Sequence, residues 1–311
     1  MKRTTTSTLL VVLFAAFAAQ LSAQTVLQRY LDPVYNESDI SVQKDITYVQ
    51  GDGSKNQGTY PADYSGVYEP YELKMDVYTP PSDDVSERPV LILACGGSFL
   101  TPNATGEPPL GTKEDYPIVE ICNAFARRGY VTISMDYRRG WNPLGSGEVP
   151  QQTIVRAAYR AVQDGRALVR YLKKHVAEDG NTWEIDTSRI AFGGSQAGGY
   201  IPIHMYLLNT YDAIFDEPKI QDANNVPYID TTFQGPIEGR YGSLGYSDEF
   251  QLIISMGAAA LDTSFLLPGM PPILGVHGTE DEVTPYGTDI VIAGGLVEVV
   301  EVSGSGDLIA Y

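Results

Sequence analysis

The sequence predicts an α/β fold, a mostly parallel sheet covered by helices on both faces. Three observations predict it. Short runs of branched apolar residues alternate with longer runs of helical period along the chain. One short run, 89–95 (PVLILAC), is apolar throughout, as a parallel strand buried on both faces must be. Glycine pairs stand at the ends of two of the strands, at Gly96-Gly97 and Gly193-Gly194. The chain has 311 residues, 43% of them hydrophobic and 19% charged, which suits one large domain, and no linker-like shift in composition divides it.

The elements follow in order. Lys2 and Arg3 precede an apolar run from Leu9 to Ala19 and then Gln20-Leu21-Ser22-Ala23. That is the pattern of a secretory signal peptide, so residues 1–23 are expected to be removed and 24–311 to form the domain, secreted or periplasmic. The run is too short to span a bilayer and no later run is long enough, so no membrane association is expected after cleavage. Tyr71–Tyr78 places Leu73, Met75 and Val77 on one face, a half-buried strand. Across 117–128, Ile118, Ile121, Cys122 and Phe125 recur at helical spacing, with Pro117 in the first turn, Arg127 and Arg128 in the last, and Gly129 to cap. Tyr130–Asp136 is the next strand. A helix follows over 151–175, its inward face Ile154, Ala157, Ala158, Ala161, Val162, Leu168, Val169 and Leu172.

Arg189–Gly194 is again a strand. Residues 209–250 have no periodicity and read as an irregular insertion over the strand ends. Their tyrosines (Tyr211, Tyr228, Tyr241, Tyr246) are candidates to stack on an aromatic acid or a sugar. Strands at 251–256, 273–277 and 296–302 complete the pattern. Cys95 and Cys122 either form a disulfide or are two buried thiols; the sequence leaves both open.

The segment FGGSQAGGY (192–200) is the candidate chemical centre. A serine hydroxyl becomes a nucleophile when a base takes its proton and backbone N–H groups receive the oxyanion. A sharp strand-to-helix turn provides that exposure and needs small residues two positions to either side. Taken around Ser195, these neighbours are Gly193 and Ala197. Gly96 and Gly97 can then supply donors beside the N–H of Gln196.

Leu73, Asp76, Val77, Tyr78 and Pro80, then GGSF (96–99), FARRGYV (125–131), DYR (136–138) and GGSQAGG (193–199) together resemble the carboxylesterase/lipase branch of the α/β-hydrolase superfamily. That branch includes hormone-sensitive-lipase-like esterases and secreted feruloyl or acetyl-xylan esterases. The resemblance runs from about Leu73 to Val302. It implies Ser195 as nucleophile and Gly96, Gly97 and Gln196 as oxyanion donors. Residues 272–286 resemble the family's HGxxDxxVP segment, which implies Asp281 as the acid. Cys95 stands where a histidine usually opens the HGG motif, and Pro202 should kink or shorten the helix after Ser195.

The base is missing. In this fold it follows the acid along the chain, and the three histidines, His175, His204 and His277, all precede Asp281. His175 reads as a cation at a helix end, His204 as a residue packed on the sheet, His277 as a structural group. VEVVEV (297–302) and GSGDLIAY (304–311) suggest a final element cut short, so the expectation is a C-terminally truncated chain whose base and last helix lie downstream. What the resemblance implies is acyl transfer on a small or aryl- or sugar-linked ester, without cofactor or metal. Two rivals are a serine peptidase on the same fold and an extracellular domain that holds such a ligand without turnover. The net charge of −18 argues against nucleic acid as a partner. Nothing in the sequence bears on oligomeric state.

Overall fold

The computed structural model describes residues 29–52, 69–101, 111–208, 217–266, 268–293 and 297–309. The proposed signal peptide, Tyr211 and residues 209–216 of the insertion lie outside them. Seven strands form the main sheet in the order β1-β2-β4-β3-β5-β6-β7. They are β1 (Ser41–Gly51), β2 (Tyr71–Thr79), β3 (Arg88–Ala94), β4 (Val131–Met135), β5 (Ile185–Ser195), β6 (Leu252–Met256) and β7 (Ile273–Val276). β2 runs antiparallel to β1 and β4, and every other pair is parallel. This is the sheet of an α/β-hydrolase.

The apolar run at 89–95 is β3, the middle strand, flanked by β4 and β5 with Ile92 opposite both Ile133 and Phe192. Val90 to Ala94 are buried without interruption, because both faces are covered. Leu73, Met75 and Val77 point inward from β2, as the alternation requires. Helix α1 (Tyr116–Ala126) packs on β3 and β4, and α2 (Val149–Glu178) packs against α3 (Ala197–Leu207). Pro150 sits in the first turn of α2, and Gly180, at φ 79°, turns the chain beyond its end.

Helix α2 is buried well beyond its apolar stripe. Arg160, Gln163, Asp164, Arg166 and Arg170 are all buried as well. For Gln163, Arg166 and Arg170 the reason lies in the insertion, whose described part contains a short helix, α4 (Thr231–Gln234). An irregular segment has carbonyls that no ladder satisfies. Here Gln163 donates to the carbonyls of Gln234 (2.9 Å) and Pro236 (2.7 Å), and Arg170 to that of Glu238 (2.6 Å). The insertion is thus laid along α2.

Two outcomes differ from the expectation for the last strands. Residues 297–303 form β9, outside the main sheet; β9 pairs antiparallel with β8 (Thr288–Ala293), which the sequence did not signal. A bridge between Ala260 and Ser303 ties this hairpin to the chain beyond β6, and a short helix, α5 (Ser305–Leu308), follows it. Cys95 and Cys122 are free, fully buried thiols, and burial pushes each up to about 12.

Candidate active site

Ser195 is the last residue of β5 and pairs with Met256 of β6 in regular register. The turn into α3 comes one residue later. Gln196 has φ 46° and ψ −117°, a region that residues with side chains rarely enter. The close backbone crossing that such a turn needs falls two residues to either side of Gln196. A Cβ on Gly194 would lie 2.4 Å from the carbonyl carbon of Gly198, and one on Gly198 would lie 2.2 Å from the carbonyl oxygen of Ala94. The elbow is therefore centred on Gln196, between Gly194 and Gly198. Ser195, expected at this corner, still belongs to the strand ladder, and the side chain at the corner is the Gln196 carboxamide.

The N–H of Gln196 donates to the carbonyl of Met256 at 2.8 Å and is already engaged. The side chain instead lies on the Gly96 turn: a Cβ on Gly96 would be 3.1 Å from Gln196 Oε1 and 3.3 Å from the carbonyl oxygen of Ser195. Gly96, Ser195 and Gln196 are thus brought together at the C-terminal ends of β3 and β5. After Gly96 the chain keeps positive φ at Gly97 (94°), Ser98 (51°) and Phe99 (55°). Two residues that the sequence did not single out brace this turn. Tyr137 Oη donates to the carbonyls of Cys95 (2.9 Å) and Gly96 (3.1 Å), and Trp141 Nε1 donates to that of Ser98 (2.8 Å).

Asp281 reaches the same end of the sheet. A Cβ on Gly257, the residue after β6, would lie 3.5 Å from its Oδ2. Oδ1 accepts from the N–H groups of Val283 (2.9 Å) and Thr284 (3.0 Å), which fixes the carboxylate within its own loop.

The histidines are engaged elsewhere. His277 Nε2 lies 3.0 Å from the carbonyl of Thr284, so it must donate; Nδ1 then accepts from Ser305 Oγ, also at 3.0 Å. Its Nε2 is 3.6 Å from Asp281 Oδ2. His204 Nδ1 donates to the carbonyl of Tyr200 at 2.8 Å, and Nε2 accepts from Leu261 N at 3.1 Å. Burial holds it neutral, its pKa pushed down to about 4. His175 differs from the expected helix-end cation. It is buried, stacked on Trp183 with ring centroids 3.9 Å apart, and its pKa is lowered by desolvation.

A cavity of ≈ 110 Å³ opens beside the elbow, and Gln196 is in its wall while Ser195 is not. The insertion contributes Ile220 and Ile229 to it, but none of its described tyrosines. Tyr228 is buried, Tyr241 donates to Asp52 at 2.6 Å, and Tyr246 donates to Glu178. Among the described residues, no group of three or more His, Cys, Asp or Glu could hold a metal ion, and no helix is long and apolar enough to cross a membrane.

Comparison with known proteins gives one family and several similar solved structures. A sequence model of the BD-FAE family matches residues 75–231, just over half the chain. No curated protein matches. Among solved structures, esterase 2 of Thermogutta terrifontis phosphorylated by paraoxon is 17% identical, with 81% of this chain and 75% of that one covered, at a TM-score of 0.44. Its butyrate-bound form is 16% identical, covering 81% and 76%, at 0.45. Esterase B from Lactobacillus rhamnosis is 18% identical, covering 83% and 59%, at 0.38. With the matched segment running from β2 through the elbow into the insertion, the chain belongs to the BD-FAE family, carboxylic-ester hydrolases on the α/β-hydrolase fold.

Proposed function

We propose that this chain uses the esterase framework to hold a small, aryl- or sugar-linked ester without passing through an acyl-enzyme. One observation carries this reading: the elbow position, where the fold exposes a nucleophile, holds Gln196. A carboxamide nitrogen is delocalised into its carbonyl and has no nucleophilic lone pair at neutral pH, so no covalent intermediate forms there. The engaged ring nitrogens of His204 and His277 support the same reading. Gly96 and Gly97 would face the ligand carbonyl, and Asp281 would hold the 281–284 loop against the elbow. The basic and then apolar segment 2–23 supports export of the domain before it meets its ligand.

Family membership favours a second reading, hydrolysis by Ser195 with Asp281 as the acid and a base yet to be placed. Ser195 is half-buried and only one residue from the elbow. Turnover of p-nitrophenyl butyrate and labelling by a fluorophosphonate separate the two. Under the proposal the wild type and Ser195→Ala behave alike, with no label and no turnover above buffer. Turnover in the wild type that disappears in Ser195→Ala would overturn it in favour of the acyl-enzyme.

A further inference from the structure

The cavity beside the elbow is built from four parts of the fold that the main sheet does not contain. Val155 and Val162 come from α2, Ile201 from α3, Ile229 from the insertion and Val299 from the β8–β9 hairpin. Its polar residues are few: Gln196, Ser98, Thr284, Tyr200, His204 and Tyr159, whose hydroxyl already donates to the carbonyl of Gly235 at 2.8 Å. Among the described residues of its wall there is no Asp, Glu, Lys or Arg. His204 cannot supply the missing cation, because Nδ1 already donates to Tyr200 and Nε2 already accepts from Leu261. The Gln196 carboxamide remains as a neutral group with both a donor and an acceptor.

We propose that this cavity takes an uncharged, mainly aliphatic molecule whose one polar group hydrogen-bonds to the Gln196 carboxamide, and that it excludes carboxylates. The inference rests on the ligand-holding role proposed above and selects, among the ligands named there, the small ester with an aliphatic chain. An apolar chain gains from leaving water for these walls. A carboxylate would shed its hydration and meet no cation, a penalty that apolar contact does not offset. An amide or ester carbonyl meets an N–H donor in Gln196, and an amide or hydroxyl donor meets its Oε1. The volume suits a short chain, since engineered apolar cavities of about 150 Å³ accept benzene. The site therefore separates an ester from its hydrolysis product, holding the first and refusing the ionised second.

The probes are hexanamide and hexanoate, titrated calorimetrically into the purified chain at pH 8. Hexanamide is expected to bind at least about tenfold more tightly than hexanoate. Gln196→Ala should weaken hexanamide by up to about tenfold, the contribution of one hydrogen bond. Val155→Trp, which fills the α2 side, should abolish binding, and Val300→Trp does so from the hairpin should the first variant fail to fold. The proposal is overturned if hexanoate binds as well as hexanamide, if both folded tryptophan variants bind as the wild type does, or if hexanamide does not bind at all. An amide resists esterase turnover, so Ser195-dependent ester hydrolysis would remove the holding role while leaving the amide result to judge this inference by itself.

Discussion

Gln196 holds a backbone conformation that glycine adopts freely and other residues resist. Such strain is worth on the order of 1–3 kcal/mol, set against the extra freedom glycine gives the unfolded chain, about 0.5–1 kcal/mol. Gln196→Gly should therefore stabilise the protein by about 1 kcal/mol, read as a higher urea midpoint with unchanged slope. A lower midpoint would mean that the carboxamide's contact with the Gly96 turn outweighs the strain. Its neighbour responds in the opposite direction. Gly198→Ala forces a methyl group to 2.2 Å from the carbonyl oxygen of Ala94 and should lose at least about 2 kcal/mol in the same titration.

Helix α2 is fastened to the chain beyond β4 by a buried ion pair. Asp164 accepts from the backbone N–H of Arg138 (2.7 Å) and from its Nε (2.8 Å), and both side chains are almost wholly covered. Arg138 also lies over the ring of Tyr71, 4.7 Å from its centroid. Asp164→Ala leaves that guanidinium charged and buried, and should cost about 3–5 kcal/mol by chemical denaturation; a loss under 1 kcal/mol would show that water or another acceptor replaces the carboxylate. The strands and helices with clean periods, 89–95, 130–136 and α1 among them, are legible in the sequence because burial on known faces dictates their residues. β1 is not, since its alternation is interrupted where Asp45 takes φ 59° and the pairing with β2 slips. β8 is short and mostly exposed, so no burial pattern marks it. At the elbow, composition points to the serine while sterics decide the register. GGSQAGG reads equally well around Ser195 or Gln196, and only the Gly194–Gly198 crossing shows which residue turns the corner.

The molecule as a whole carries 39 acidic and 21 basic residues around a core that contains both thiols. Cys95 sits at the end of the middle strand and Cys122 on the buried face of α1, so both are shielded from solvent in the folded chain. With both thiols held protonated by burial, iodoacetamide at pH 8 should leave the folded protein unmodified and label the two together across the urea transition. Gln196→Cys offers the contrast, a thiol on the turn at the start of a helix that should be alkylated in the folded state. Labelling of the wild type without denaturant would show a looser core than this one. The Gly194–Gly198 crossing has one more consequence. It shapes the corner from backbone alone and does not dictate which side chain is mounted there, so the framework works as a socket with an exchangeable plug. Ancestry is written in the socket and reactivity in the plug, and a lineage can change the second while every strand of the first stays in place.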